Sequence, residues 1–531
     1  MEDTKKMTAS AMDAGPLRLR FVGNVCHVSA ELKGSLALDG ILAERARATG
    51  VMTIPIRWHK PVEFEQLFGT PHKGNALSEG SSWVDDYVKK LFARAMAKKV
   101  TDIHITYMGP YAEVSFRRMG LIQPEECLDG AMGLMLIRGI FQGGRSQAES
   151  GFSEYERYDG RIADQSFLPR GLFAVRLHSE PIQSPYIPGP GLNLSMRLLF
   201  DTTSVSGTLM ERMSALGFTR EQQELLHSFS LKSGLSVVSG PTGHGKTTVL
   251  KNIMEALAHS VPTRNYYSLE DPPEYTILGV KQLNVFTKAV SDKERERALL
   301  EALAGLMRAD PDVILLGEIR YLEAARAAVN AALTGHSVWT TVHASSGINV
   351  LARFREMGLP LESVCSRGVL TGVSYQRLLP ILCPSCKRPL LAHRGELPGN
   401  LLKRIERLYP KEERERLCLQ GQGCKDCDGM GLSSQKVAAE VIPMNDAHLV
   451  ELVRANAMEE AQRYWVTAMH GITHIAHARM RVGSGEVDPR LAQERCGLSA
   501  KMRIWCRQVE NVRCQIFVFG MKIAYGGHES F

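Results

Sequence analysis

The stretch Gly240-Pro241-Thr242-Gly243-His244-Gly245-Lys246-Thr247 decides the fold. It reads as glycine, four free positions, then Gly-Lys-Thr, and it lies between two legible elements. Before it, Leu235 to Ser239 (LSVVS) is a short apolar run of the length of a buried strand. After it, Thr248 to Ala258 places Val249, Ile253 and Leu257 on one side of a helix. A strand that turns through glycines into a helix is the frame of a phosphate-binding loop. Glycines let successive N–H groups curl towards phosphate oxygens, and the helix N-terminus adds its positive dipole end. In that frame Lys246 reaches the β- and γ-phosphates of ATP and the Thr247 hydroxyl ligates Mg²⁺. The run from Gly240 to Thr248 is the expected nucleotide-binding segment.

Carboxylates follow where such a loop needs them. Tyr266 to Leu269 is strand-like and leads into Glu270-Asp271-Pro272-Pro273-Glu274-Tyr275, where two prolines stop the strand and forbid helix. Asp312-Val313-Ile314-Leu315-Leu316-Gly317-Glu318 is an apolar strand that also ends in an acid. Open α/β sheets bind ligands at the carboxyl ends of their strands, so both acids are expected at the nucleotide. Glu274 is the candidate to orient the attacking water and Glu318 the candidate for the Mg²⁺ side. Arg320 is expected to open an alanine-rich helix. His336 and His343 bracket the strand Ser337 to Val342, and the pair is expected to sense phosphate, although a single histidine there would more often be a packed core residue.

Cys383-Pro-Ser-Cys386 and Cys424-Lys-Asp-Cys427 form two CxxC turns separated by residues 387–423. Each turn can present two thiolates, and two turns complete a closed tetrahedral Zn²⁺ site of structural type. The long spacer is expected to be bridged by a charged helix from Leu401 to Leu417. Cys418 lies inside it and is a competing ligand on paper.

Taken together, GPTGHGKTT, LEDPPEY, RADPDVILLGEIR and TGHSVWTTVHASS resemble, in this order, the four nucleotide motifs of the secretion and type IV pilus assembly ATPases. The resemblance runs from about residue 84 to 495. Upstream, VTDIHI, VRLHSEP and LSMRLLF are similar to further segments of that family. The resemblance implies a homohexameric ring in which Arg176 and Arg197 reach the γ-phosphate, either of their own subunit or of a neighbouring one. It also implies an inner-membrane platform protein as partner and zinc in the cysteine insert, which assembly motors commonly carry and retraction motors lack. The chain departs from the family pattern at His244, usually serine, and at Pro273, Tyr321, Ala344 and Ser345.

The rest of the chain sets the surroundings. Its 531 residues suggest about three or four domains. With 44% hydrophobic and 23% charged residues it is an ordinary globular chain, not a disordered tail or a coat protein. The richest apolar stretch, Gly130 to Phe141, contains Arg138 and is too short to span a bilayer. Met1 to Gly15 lacks the pattern of a secretory signal, so the protein is expected in the cytoplasm, held peripherally at the bacterial inner membrane. The eleven cysteines fit metal ligation better than a disulfide framework there.

The expected architecture is α/β: a RecA-like P-loop domain, a small preceding α+β (PAS-like) domain and a zinc insert. The boundaries are 1–80 (possible docking on a cytoplasmic or membrane adaptor), 81–200, a linker at 201–207, the ATPase core at 208–382, the insert at 383–427, a helical part at 428–496 and an unassigned extension at 497–531. Gly74 to Ser82 reads as a linker. The +7 formal charge lies on the insert and on residues 501–531. The leading function is a motor that assembles a type IV pilus or type II secretion pseudopilus. A retraction or DNA-transfer motor is the alternative in the same fold. A helicase-like nucleic-acid binder is the outsider, because the charges of Lys411 to Arg416 are intermixed in sign without aromatics, and no specific nucleic acid is expected.

Overall fold

The computed structural model describes residues 80–142, 152–200, 207–285 and 292–497, with short pieces between 12 and 60. Residues 201–206 of the expected 201–207 linker, most of 1–80 and the extension beyond Gly497 lie outside the described residues. The chain divides into two compact units, Met1–Thr203 and Ser204–Phe531.

In the amino-terminal unit four short strands, β1 (Met12–Asp13), β2 (Leu19–Val22), β3 (Val25–Ser29) and β4 (Ile56–His59), precede helix α1 (Gly80–Ala97). The helix begins inside the stretch read as a linker. Val84, Val88, Leu91, Phe92 and Ala95 are all buried on it, as their spacing requires. Then come β5 (Asp102–Tyr107), β6 (Tyr111–Arg118), β7 (Leu121–Asp129), α2 (Gly130–Gln142), β8 (Tyr158–Ile162), β9 (Leu172–Ile182) and β10 (Gly191–Phe200). Among the described residues they make one sheet in the order β4-β3-β2-β1-β7-β6-β5-β10-β9-β8. Ile103, Ile105, Val114 and Phe116 share one apolar core with both helices. On α2 Leu136, Ile137 and Ile140 enter that core, while Arg138 turns outward to Glu154.

The carboxy-terminal unit opens with α3 (Leu209–Leu216) and α4 (Arg220–Ser230). Thr208 caps α3, with Glu211 completing the reciprocal bond, a device worth about 1 kcal/mol. The sheet strands are β11 (Gly234–Ser239), β12 (Tyr266–Glu270), β13 (Lys281–Asn284), β14 (Val313–Glu318), β15 (Ser337–Val342), β16 (Leu370–Leu382) and β19 (Leu432–Pro443), in the order β13-β12-β14-β15-β11-β16-β19. All pair in parallel except β16 with β19. The phosphate-loop strand β11 is thus separated from β14 by β15, which is the RecA-like arrangement.

Both faces of this sheet are covered. Leu235, Val237, Ile314, Leu316 and Val338 feed one core, while Val238, Val313, Leu315 and Trp339 feed the other. The second core includes α5 (Lys246–Ser260), and α3 and α4 join it from outside. Hence every residue from Val249 to Ala258 is buried, not only the expected side. With Leu303 of α6 (Asp292–Leu306), Leu351 of α8 (Asn349–Glu356), Val364 of α9 (Leu361–Val364), Leu449 of α12 (Ala447–Arg454) and Trp465 of α13 (Met458–Thr467), the first core takes Ala324, Ala325, Ala328, Ala331 and Ala332 of α7 (Leu322–Leu333). This helix starts two residues after Arg320, which therefore does not open it.

The insert, with its own short pair β17 (Arg388–Pro389) and β18 (Cys418–Leu419), connects β16 to β19. Its helix is broken where one was expected, into α10 (Gly399–Leu408) and α11 (Lys411–Arg414). Pro410 supplies no N–H, and Tyr409 before it is extended (φ −116°, ψ 130°). Leu401, Ile405 and Leu408 pack with Ala478, Val482 and Ala492 of the last helices, α14 (His474–Gly483) and α15 (Pro489–Cys496).

Candidate nucleotide and metal sites

Strand β11 is buried throughout, and Ser239 at its end donates to the Val342 carbonyl at 2.7 Å, locking it to β15. The chain then turns through Gly240, Pro241, Thr242, Gly243, His244 and Gly245 before α5 begins at Lys246. Gly240 (φ +146°) cannot be replaced by a larger residue, because a Cβ there would lie 2.4 Å from the Gln376 carbonyl oxygen of β16. Gln376 is fully buried, and its amide donates to the His244 carbonyl at 2.7 Å. Nothing local singles out Gln376 for this contact, since Val373 to Leu382 also carries Ser374 and Arg377.

His244 holds the loop to the same strand. Its Nδ1 accepts the Leu378 backbone N–H at 2.8 Å, and burial, with Arg377, Arg495 and Lys246 nearby, pushes its pKa down to about 4. It is a neutral acceptor and does not offer charge to a phosphate. Lys246 Nζ donates to the carbonyls of Gly240 (2.9 Å) and Pro241 (3.1 Å). Burial lowers its pKa, while Glu318 and Glu274 act in the opposite direction. Both candidate acids therefore come close enough to Lys246 to feel its charge. Thr247 and Thr248 occupy the first turn of α5.

Glu318 ends β14 with both oxygens engaged. Arg320 Nη2 and Nε donate to Oε2 at 2.7 and 3.0 Å, and His343 Nε2 lies 2.8 Å from Oε1. The second half of this clamp, Arg320, was not read from the sequence as a site residue. His343 follows β15 at its carboxyl end and also hydrogen-bonds the backbone of Gly240, and burial lowers its pKa. His336 stands at the other end of the same strand. Its carbonyl accepts from Gly234 N at 2.9 Å, and its ring bonds the Thr334 hydroxyl and the Ala331 carbonyl, each at 3.0 Å. A strand of this length puts about 20 Å between the two histidines. The expected pair is thus not brought together: His343 joins the loop and His336 caps the opposite edge.

Arg176 and Arg197 belong to the amino-terminal unit, where they are direct cross-strand partners. The row continues to Asp102 and Arg117 on one side and to Arg161 on the other. Directly paired residues share a face, so four arginines and one acid line one row. Arg197 Nε donates to Asp102 at 2.9 Å, and Arg176 is exposed.

The four cysteines converge. Their sulfurs all lie within 4.8 Å of one another. The separations Cys383–Cys424, Cys386–Cys427 and Cys424–Cys427 are 3.7, 3.8 and 3.7 Å. A tetrahedron with Zn–S bonds of about 2.3 Å has edges of about 3.8 Å, so the donor set fits zinc in number, chemistry and size. Burial opposes ionisation of Cys427, yet N–H groups of Cys424 and Gly431, each 3.1 Å from its sulfur, hold its pKa down to about 7. Gly421 permits the approach: a Cβ there would overlap the Cys386 carbonyl. Cys418 bonds the Arg416 carbonyl and is not in the cluster.

With this geometry in place, the chain can be set beside known proteins. Residues 78–494 match the family described as Type II/IV secretion system protein. The chain is 28% identical over 394 residues to the Type II secretion system ATPase E of Vibrio cholerae serotype O1, covering 74% of this chain and 71% of that protein. It is 30% identical over 367 residues to the Type II secretion system protein E of Pectobacterium carotovorum subsp. carotovorum, covering 68% and 65%. It is 29% identical over 386 residues to the Type IV pilus assembly ATPase PilB of Thermus thermophilus, covering 72% of this chain but 40% of that one. The ATPase DotB of Legionella pneumophila has a similar fold, with a TM-score of 0.55 at 17% identity over 80% of this chain and 97% of that one. Since the match takes in the phosphate loop, both acidic strand ends and the cysteine insert, the chain belongs to the Type II/IV secretion system protein family.

Proposed function

We propose that this ATPase is the ring-forming motor that assembles the fibre of a type II secretion or type IV pilus system. The observation that carries the reading is that two acids, Glu318 at the end of β14 and Glu274 in the loop after β12, both act electrostatically on Lys246 of the phosphate loop. Lys246 exchanges its loop carbonyls for the β- and γ-phosphates of ATP. Glu274 orients the attacking water, and Glu318, steadied by Arg320 and His343, serves the Mg²⁺ side. The Thr247 hydroxyl and the Glu318 carboxylate are the hard oxygen donors that suit Mg²⁺. Bound there, the ion neutralises charge on the phosphate oxygens.

Arg176 and Arg197, from another copy of the chain, supply further positive charge to the γ-phosphate, and this need for a neighbour favours a homohexameric ring. The cysteine insert holds structural zinc and favours the assembly branch over a retraction motor. The motor works at the cytoplasmic side of the inner membrane on a platform protein, with residues 1–80 available for an adaptor. Among the described residues no helix is long and apolar enough to cross a membrane. The decisive test is ATP turnover of Lys246→Ala and Glu318→Gln. Each should remain folded and lose activity by about 100-fold or more. Turnover near wild type in both would overturn the mechanism.

A further inference from the structure

The helix that follows the phosphate loop carries two buried charges that phosphate binding does not use. Lys251 and Glu255 on α5 are 5% and 3% exposed, with Nζ 3.5 Å from Oε1. Arg212 of α3, equally buried, donates to Glu255 Oε2 at 2.8 Å and to the Gly207 carbonyl at 3.1 Å. Two cations and one anion thus sit beside a core built of aliphatic and aromatic side chains. Replacing buried ion pairs by apolar residues is often neutral or stabilising, so such a triad needs a reason other than stability.

The reason lies in what the triad touches. Glu255 Oε1 accepts the backbone N–H of Leu278 at 3.3 Å, and Lys251 Nζ lies 5.8 Å from the centre of the Tyr275 ring. Both belong to the loop after β12, and Tyr275 is the residue next to Glu274. The loop is pressed hard onto the helix there, since a Cβ on Gly279 would come within 2.8 Å of Ala258. From the other side Gln282 of β13 bonds Ile277 N (2.9 Å), the Tyr275 carbonyl (2.8 Å) and Glu270 (3.1 Å).

We infer that Arg212, Lys251 and Glu255 are positioning residues that set Glu274 at a fixed height over the phosphate loop, by tying its loop to the helix that begins with Lys246. One rigid rod then carries the phosphate-binding lysine at its start and the anchor for the water-orienting acid along its length. Glu255 is nine residues on from Lys246, about 13 Å along the axis, and neither can shift without the other. Arg212 extends the tie to the segment entering the ATPase unit. The inference rests on the reading of Glu274 given above.

The test is an apolar replacement of the whole triad, Arg212→Leu with Lys251→Met and Glu255→Leu, which strands no single buried charge. It should fold and keep the KM for ATP within about twofold, while kcat falls about 10- to 100-fold, as a displacement of about 1 Å would cause. Glu274→Gln alone should cost about 100-fold, yet in the triad background it should only bring the total loss to the same 100-fold or so, not multiply it, because both changes act through the same acid. Lys251→Met alone, which leaves a neutral Arg212–Glu255 pair, should lower kcat by about 3- to 10-fold at unchanged KM, and it decides the matter should the triple variant fail to fold. Wild-type kcat in the triad variant or in Lys251→Met, with Glu274→Gln inactive, would overturn the positioning role. Full activity in Glu274→Gln would instead overturn the assignment of Glu274, and the positioning role of the triad with it.

Discussion

The phosphate loop and the cysteine cluster solve related problems in opposite ways. Both bend the chain through glycines and aim backbone N–H groups at negative atoms. At Cys427 those N–H groups are already engaged, the sulfurs stand about a zinc tetrahedron's edge apart, and nothing is left open. At the loop every charged group rests on an exchangeable partner: Lys246 on two carbonyls, Glu318 on Arg320 and His343. One arrangement suits a ligand that stays and the other suits a ligand that turns over.

That contrast can be broken at several points, the largest effect first. Cys383→Ser with Cys427→Ser, or removal of metal by a strong chelator, should lower Tm by about 10 °C or more, read by calorimetry alongside metal analysis. A metal-free preparation as stable as the untreated protein would mean the cluster is not a permanent site. At the loop, His343→Ala should cut ATP turnover about 10- to 100-fold, whereas His336→Ala should stay within about twofold. Equal losses in a steady-state assay would contradict the separation of the two histidines along β15.

The smallest effect concerns pH. His244 is held near pKa 4 in the folded protein, below its ordinary value of 6.5, so the unfolded chain binds more protons between those values. Its contribution is fully present above about pH 6.5 and is lost as pH falls towards about 4. His477, held lower still by burial, acts in the same sense and remains in every variant. His244→Ser should therefore flatten, without abolishing, the decline in urea stability between pH 6.5 and 4. An unchanged slope would show that His244 is not a buried neutral acceptor.

Some of this was legible in the order of residues and some was not. The phosphate loop could be read because its chemistry demands fixed types at fixed spacing within a few residues. The same holds for the two CxxC turns. His336 was misplaced although strand direction alone puts it at the wrong edge, since a parallel sheet offers only its carboxyl ends to the ligand. The break at Tyr409-Pro410 was also there to be read. The all-round burial of α5 was not: α3 and α4, which wall it in, come from chain before β11, and no local period reports a neighbour arriving from elsewhere. Likewise Arg320 acquires meaning only when β14 lies against β15, and Gln376 only when β16 lies against β11.

Strand β16 has a consequence for how the two sites share motion. Its residues Gln376 and Leu378 floor the phosphate loop, and it runs on without interruption to Leu382 and into Cys383. The five-residue step from Leu378 to Cys383 is about 17 Å of nearly inextensible backbone. Its pairing with β19 runs in register as far as Ile381 and shifts between Ile381 and Leu382. The insert is therefore coupled in series with the floor of the loop, like a weight clamped to the end of a ruler: it cannot be displaced along the strand without tugging where the nucleotide is held.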